Sequence, residues 1–166
     1  MDYDQLFARL YPQLFRYLHR LTGDPDAADD AAQEAFVRLT QQSLPENEAR
    51  PWLFTVATNL IRDRARKAVR HRRLEPHVPR VQPPDPPDRS VERKERIAMV
   101  RKALAELSER DRTMLMMREE GFKYAEIANA VDVAPGSVGT LLARAVQRFE
   151  KTFTAMQAEE TIHEPS

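Results

Sequence analysis

Five carboxylates crowd one short stretch of the chain: Asp24, Asp26, Asp29, Asp30 and Glu34. Acids at this density suit a bound cation, the positive end of a helix, or an acidic surface for a protein partner. A bundle-type metal site would add Glu-x-x-His pairs, and none is present. The four histidines, His19, His71, His77 and His163, are scattered with no ligand spacing. There is no cysteine, so thiolate metal sites and disulfides are excluded. No nucleophile–base pair and no glycine-rich phosphate loop is visible. The reading is therefore of a protein that is not an enzyme, with no catalytic residue, no metal and no cofactor. Asp30, Gln33 and Glu34 become candidates for an exposed acid-and-amide docking face.

A second cluster has the opposite sign. Between Arg62 and Arg73 the chain carries seven Lys or Arg and one acid, Asp63. The run closes a segment that starts with Trp52 and Phe54. Basic groups near aromatics suit single-stranded nucleic acid, where bases stack and phosphates pair with arginine. Core packing is the competing reading for Trp52, and the one favoured here.

The third feature is a pattern, Lys123 to Phe149. Ile127, Ala128 and Val131 form one helical stripe, and Val138, Leu142, Ala145 and Phe149 another. Between them Val131-Asp132-Val133 leaves room only for a sharp corner. Asp132 falls where a left-handed backbone is needed, which Asp tolerates better than most residues. Pro135 suits a first helical turn. Ala128, Asp132 and Val138 have the spacing of a helix-turn-helix, whose second helix enters the major groove of DNA. The face opposite the buried stripe carries Gly136, Ser137, Thr140, Ala143, Arg144 and Gln147, with Arg148 a further candidate.

These residues need elements to hold them. Helical spacing runs from 3 to 21 through Leu6, Phe7, Leu10, Tyr11, Leu14, Leu18 and Leu21. Gly23-Asp24-Pro25 ends that helix. Ala28, Ala31, Ala32, Ala35, Phe36 and Leu39 then give a small-residue face over 26–40. After a polar loop, Pro51 is expected to open a third helix through about Arg73. Six of twelve prolines fall between Pro76 and Pro87, an extended linker of 17 residues that can reach about 50 Å at about 3.1 Å per residue. Helicity resumes near Glu92, restarts at Ser108-Glu109-Arg110-Asp111 with the look of a capping box, and stops at Gly121. The tail from Thr154 is expected to fray. The fold class is all-α: a three-helix domain over 1–74, a Pro-rich linker over 75–91, a helix-turn-helix domain over 92–153 and a polar tail over 154–166. The linker is expected to keep the domains apart without a rigid interface.

The formal net charge is zero, so any nucleic-acid surface must come from local segregation of charge. The first residues are acidic rather than a basic-then-apolar signal, and no apolar run is long enough to span a bilayer. A cytoplasmic protein without membrane insertion or small-molecule substrate is expected.

The ordered set of motifs resembles the bacterial RNA polymerase sigma factors of the extracytoplasmic-function (ECF) subfamily. Asp30-Ala-Ala-Gln33-Glu34-Ala-Phe36 is similar to the family's D-x-x-Q-E-x-F helix. Trp52-Leu53 and Asn59-Leu-Ile-Arg-Asp63 match its W-L and N-x-x-x-D stretch. Leu107 to Arg112, Tyr124 to Ala128 and Gly136 to Ala145 match its promoter-binding domain. The resemblance implies that Asp30, Gln33 and Glu34 dock on the clamp helices of core RNA polymerase, and that the flap is a second polymerase contact. It implies that the loop Leu44 to Arg50, with Asn47, and Asn59, Asp63, Arg64 and Arg66 read and melt the minus-10 element. It implies that Ser137, Thr140, Arg144, Gln147 and Arg148 read the minus-35 element, and that an anti-sigma factor supplies regulation from outside the chain. Four positions depart from the pattern: Asp132 for Gly, Lys123 for a small hydroxyl residue, and Gly139 and Leu141 where many relatives carry Lys and Arg. Two other readings stay open from the residues themselves: a helix-turn-helix regulator that works without polymerase, and an all-helical adaptor that binds only protein.

Overall fold

The computed structural model describes residues 1–72 and 90–163. Apart from residues 90 and 91, the proline-rich linker lies outside the described residues. The described residues are helical: α1 Tyr3–Thr22, α2 Pro25–Leu39, α3 Glu46–Arg72, α4 Val91–Glu106, α5 Glu109–Glu119, α6 Tyr124–Val131, a 3-10 turn Pro135–Ser137, and α7 Val138–His163.

Short polar side chains set the helix ends. Asp2 caps α1, its carboxylate accepting from the backbone N–H of Asp4 and Gln5 at 3.1 and 3.3 Å. Gly23 then turns left-handed at φ 70°, and its N–H closes on the His19 carbonyl at 2.8 Å. Asp24 caps α2 in the same way, and Pro25 occupies the first turn, where a missing N–H costs nothing. One carboxylate of the acidic cluster is thus engaged at a helix start.

The six residues of the small face of α2 are all buried. Their size lets α1 and α3 come close on either side. Phe7 departs from the inward stripe of α1. It is exposed, stacks on Tyr11 with centroids 4.7 Å apart, and meets Phe36 edge-on at 4.9 Å. Two prolines behave unlike simple helix breakers. Pro12 lies inside α1 on its exposed side, where water can take the freed carbonyl. Pro51 does not open α3, which begins a turn earlier at Glu46. Glu46 and Glu48 favour that start through the helix dipole, and the carbonyl that Pro51 leaves free belongs to exposed Asn47. At the other end of the chain α7 continues to His163 instead of fraying at 154, with Phe153 stacked on Phe149 at 5.9 Å.

The two halves do not stand apart. Most of their buried hydrophobic residues form one continuous cluster. Phe54 of α3 meets Phe122, just after α5, at 4.9 Å. The Arg50 guanidinium lies 5.0 Å from the Phe54 centroid and 4.4 Å from that of Phe122. It donates to the Glu120 carbonyl at 3.0 Å and pairs with the Glu120 carboxylate at 3.6 Å. Arg62 reaches Glu109 at 3.0 Å. The expectation of separated domains misses these contacts because each depends on a residue from the other half. Between the halves lies a cavity of about 260 Å³ lined in part by Thr22, Thr58 and Arg112. Arg112 keeps its Nε buried with no hydrogen-bond partner, while Glu109, one turn earlier, is engaged by Arg62.

Tyr17 is fully buried under Phe54, and its hydroxyl is 2.8 Å from Thr58 Oγ1. Thr58 donates onward to the Phe54 carbonyl at 2.6 Å, so Tyr17 is the donor between the two. Burial pushes the phenol well above its usual range, against a smaller opposing effect of the Thr58 bond. The folded state therefore favours the neutral phenol. The stability this gives is complete below the unfolded value of about 10 and is lost as pH rises above it. Tyr17→Phe should lose about 1 kcal/mol near neutrality and unfold less steeply above about pH 10 than the parent, read by urea titration across pH. An identical alkaline slope in both would exclude Tyr17 as the titrating group. For the joined core, Phe122→Ala should cost about 3 kcal/mol and enlarge the radius of gyration in small-angle scattering. Unchanged stability and radius would show that the halves do not rest on this ring.

Candidate polymerase and nucleic-acid surfaces

The outer side of α2 forms because its inner side is fully buried in the bundle. Asp30 is exposed, its side chain 70% accessible, Gln33 is exposed, and Glu34 is half-buried. Neighbours one turn apart hold these groups in place: Gln33 Nε2 donates to Asp29 at 2.9 Å, and Arg38 donates to Glu34 at 3.0 Å. Exposed pairs of this kind are worth only a few tenths of a kcal/mol, about 0.3–0.5, so they order the face rather than stabilise the fold. The three residues named from the sequence share one helix side.

The basic side of α3 is close by. Asn59, Asp63 and Arg66 are exposed and follow one another at helical spacing. Arg64 turns toward α2, 3.8 Å from Asp30 and 3.4 Å from the Ala27 carbonyl. An arginine assigned to DNA and an aspartate assigned to polymerase thus touch. Asn47 is exposed, but in the first turn of α3 rather than in a loop. Trp52 is half-buried and packs on the core, as the sequence reading favoured. Arg50, at the end of the segment assigned to minus-10 reading, is the residue packed over the rings of Phe54 and Phe122.

In the second half, Ser108 caps α5 by accepting from Asp111 N–H at 3.1 Å. Gly121 turns left-handed at φ 87° after the helix ends. The corner after α6 has the conformation anticipated: Asp132 lies at φ 58°, ψ 54°, the one positive-φ residue other than glycine among those described. Val133 N–H closes on the Ala128 carbonyl at 3.1 Å. Ala128 and Val138 are buried and fix the angle between α6 and α7. Ser137, Thr140, Ala143, Arg144 and Gln147 are all exposed. Leu141 is partly buried against the core. A β-carbon added at Gly139 would meet the Tyr124 ring at 3.6 Å, an ordinary contact, so nothing within the chain demands glycine there.

Arg148 differs from the sequence expectation. Its Nη1 donates to Asp111 Oδ2 at 2.6 Å, so the guanidinium is engaged with α5. Sequence reasoning missed this pair, because Asp111 read as part of a helix start. It also missed Arg50 with Glu120 and Arg62 with Glu109. The one local sign was Phe122, an apolar residue just outside a helix with no helical stripe to join.

Comparison with known proteins matches this geometry on both halves. Residues 6–71 match the Sigma-70 region 2 family, and residues 97–149 match Sigma-70 region 4. The chain is 34% identical over 151 residues to the ECF RNA polymerase sigma factor SigL of Mycobacterium tuberculosis, covering 84% of this chain and 81% of that protein. It is 26% identical over 166 residues to the RNA polymerase sigma factor YlaC of Bacillus subtilis, covering 96% of each. Among solved structures, the sigma factor RpoE of Bartonella quintana, in complex with the anti-sigma factor NepR, superposes with a TM-score of 0.75 at 22% identity, over 92% of this chain and 97% of that one. The two family matches on this all-helical fold define a transcription initiation factor of the sigma-70 type, with regions 2 and 4. The chain belongs to the ECF RNA polymerase sigma factors. Such factors direct RNA polymerase to promoters and are not themselves enzymes. Membership sets aside the polymerase-independent regulator and the protein-only adaptor. Among the described residues no helix is long and apolar enough to cross a membrane.

The start of α6 yields a prediction. Glu126 accepts the Lys123 N–H at 2.9 Å, which is half of a capping box. A lysine side chain has no acceptor with which to make the other half. Lys123→Ser should add that acceptor and raise stability by about 1 kcal/mol in urea unfolding. A loss or no change would show that the lysine is better placed than the cap it replaces.

Proposed function

We propose that this sigma factor engages core polymerase through α2 and promoter DNA through two separate faces. Asp30, Gln33 and Glu34 form the polymerase-docking side, received by the clamp helices, with the flap meeting the second half. Asn47, Asn59, Asp63, Arg64 and Arg66 read and help open the minus-10 element. Ser137, Thr140, Arg144 and Gln147 read minus-35 in the major groove. The observation that carries the reading is the exposure of an ordered acid-and-amide row on a helix whose opposite side is fully buried. Docking by polar residues on a packed helix needs no local rearrangement. Action in the cytoplasm and control by an anti-sigma factor complete the reading. The NepR complex of the similar RpoE supports that partner.

Two variants test the assignments. Glu34→Lys reverses charge at a half-exposed position and should weaken co-migration with core polymerase while leaving helicity intact; binding equal to the parent would reject the α2 assignment. Arg144→Ala should cost holoenzyme about 1–3 kcal/mol of promoter affinity and relax preference at one minus-35 position if the arginine reads a base edge. A phosphate contact would instead lower affinity evenly across sequences. Unchanged affinity for every minus-35 point variant would remove Arg144 from the site.

A further inference from the structure

Two arginines lie one turn apart on the promoter-reading helix, and the structure treats them differently. Arg144 is exposed, and no carboxylate among the described residues pairs with it. Arg148 is bound to Asp111, whose side chain is 2% exposed while that of Arg148 is 56% exposed. The pair is asymmetric: a buried carboxylate on α5 holds a surface cation on α7. The other oxygen, Asp111 Oδ1, makes no hydrogen bond, and Arg110 reaches only within 3.9 Å of it. Arg148 is therefore the one hydrogen-bonding partner of a carboxylate that water does not reach. Releasing it would leave the buried carboxylate with no hydrogen bond and only Arg110 at 3.9 Å as a counter-charge, which holds the guanidinium in place more firmly than an exposed pair would.

We propose that Asp111 is a specificity-determining counter-charge for minus-35 reading. It neutralises Arg148 and leaves Arg144 as the one uncompensated cation on the first three turns of α7. The proposal rests on the reading of α7 as the minus-35 helix. Affinity for any duplex grows with the number of phosphates that free cations neutralise, whatever the sequence. Base-edge contacts are what discriminate between sequences. Withdrawing Arg148 from the phosphates lowers sequence-independent attraction and leaves discrimination to Arg144 and its small neighbours. Leu141, packed against the core, and Gly139 supply no charge in compensation. Asp111 also ties α7 to α5, so it acts as a positioning residue through Arg148 without touching DNA.

The test uses holoenzyme reconstituted with the full chain. Its probes are a promoter duplex, mapped by transcript sequencing after induced expression, and a random-sequence duplex of equal length. The readout is the slope of log affinity against log salt. Asp111→Asn should steepen that slope by about 0.9 and tighten binding to the random duplex more than to the promoter, because Arg148 is then free to neutralise one more phosphate. The double variant Asp111→Asn with Arg148→Gln removes both partners, strands no buried charge and should return the parental slope. A parental slope and selectivity in folded Asp111→Asn would overturn the proposal. So would a double variant about one unit flatter than the parent, since Arg148 would then be a phosphate ligand despite its pairing. Should Asp111→Asn fail to fold by circular dichroism, the double variant decides alone by the same slopes. Arg144→Ala runs in parallel: if it loses promoter affinity while Asp111→Asn keeps the parental slope, the counter-charge alone fails. If Arg144→Ala binds every minus-35 variant as the parent does, Arg144 is not the discriminating contact and the proposal fails with it, while Ser137, Thr140 and Gln147 still carry the reading of α7.

Discussion

The Arg50 guanidinium packs over the rings of both Phe54 and Phe122, which also touch each other, and the way the two halves of this sigma factor meet depends on that three-way contact. A helical unit of about 60–75 residues buries too little surface to be more than marginally stable alone. Here the two units share one apolar cluster, with Phe54 and Phe122 at the seam. Arg50 lets a charged residue take part: its guanidinium lies over the rings while it also meets the Glu120 carbonyl and carboxylate. Glu120 is only 19% exposed, so its charge is well placed to answer a guanidinium drawn from solvent.

The same seam takes in residues of the segments proposed to read the promoter. Arg50 ends the segment assigned to minus-10 reading, Arg62 begins the basic run, and each pairs with a carboxylate of the second half. The second half thus meets part of the basic surface of the first. On α7, too, a carboxylate elsewhere in the domain answers an arginine of the DNA-facing helix. Charge segregation in a chain of zero net charge is therefore finer than a basic patch beside an acidic one.

Much of the fold was legible in the sequence because its signals are local. The six buried positions of α2 follow from spacing alone, as do the left-handed corner at Asp132 and the plug at Val138. Gly23-Asp24-Pro25 stops one helix and starts the next through bonds that span four residues or fewer. The start of α3 was harder to place. Pro51 reads as a helix opener, yet first-turn acids and an exposed carbonyl at Asn47 let the helix begin earlier.

What the sequence by itself determined is the set of helices, their buried stripes, the turn chemistry between them and the motifs that mark an ECF sigma factor. All of these rest on contacts within a few residues or on ordered motifs. Only the tertiary structure decided which cations are paired. Arg62, Arg64, Arg144 and Arg148 are indistinguishable as members of basic, helical segments. Their partners, Glu109, Asp30, no carboxylate among the described residues, and Asp111, are set by where distant helices pack. A pairing partner 34 to 47 residues away leaves no periodic trace, because helical spacing records which side of a helix faces inward and not what waits there.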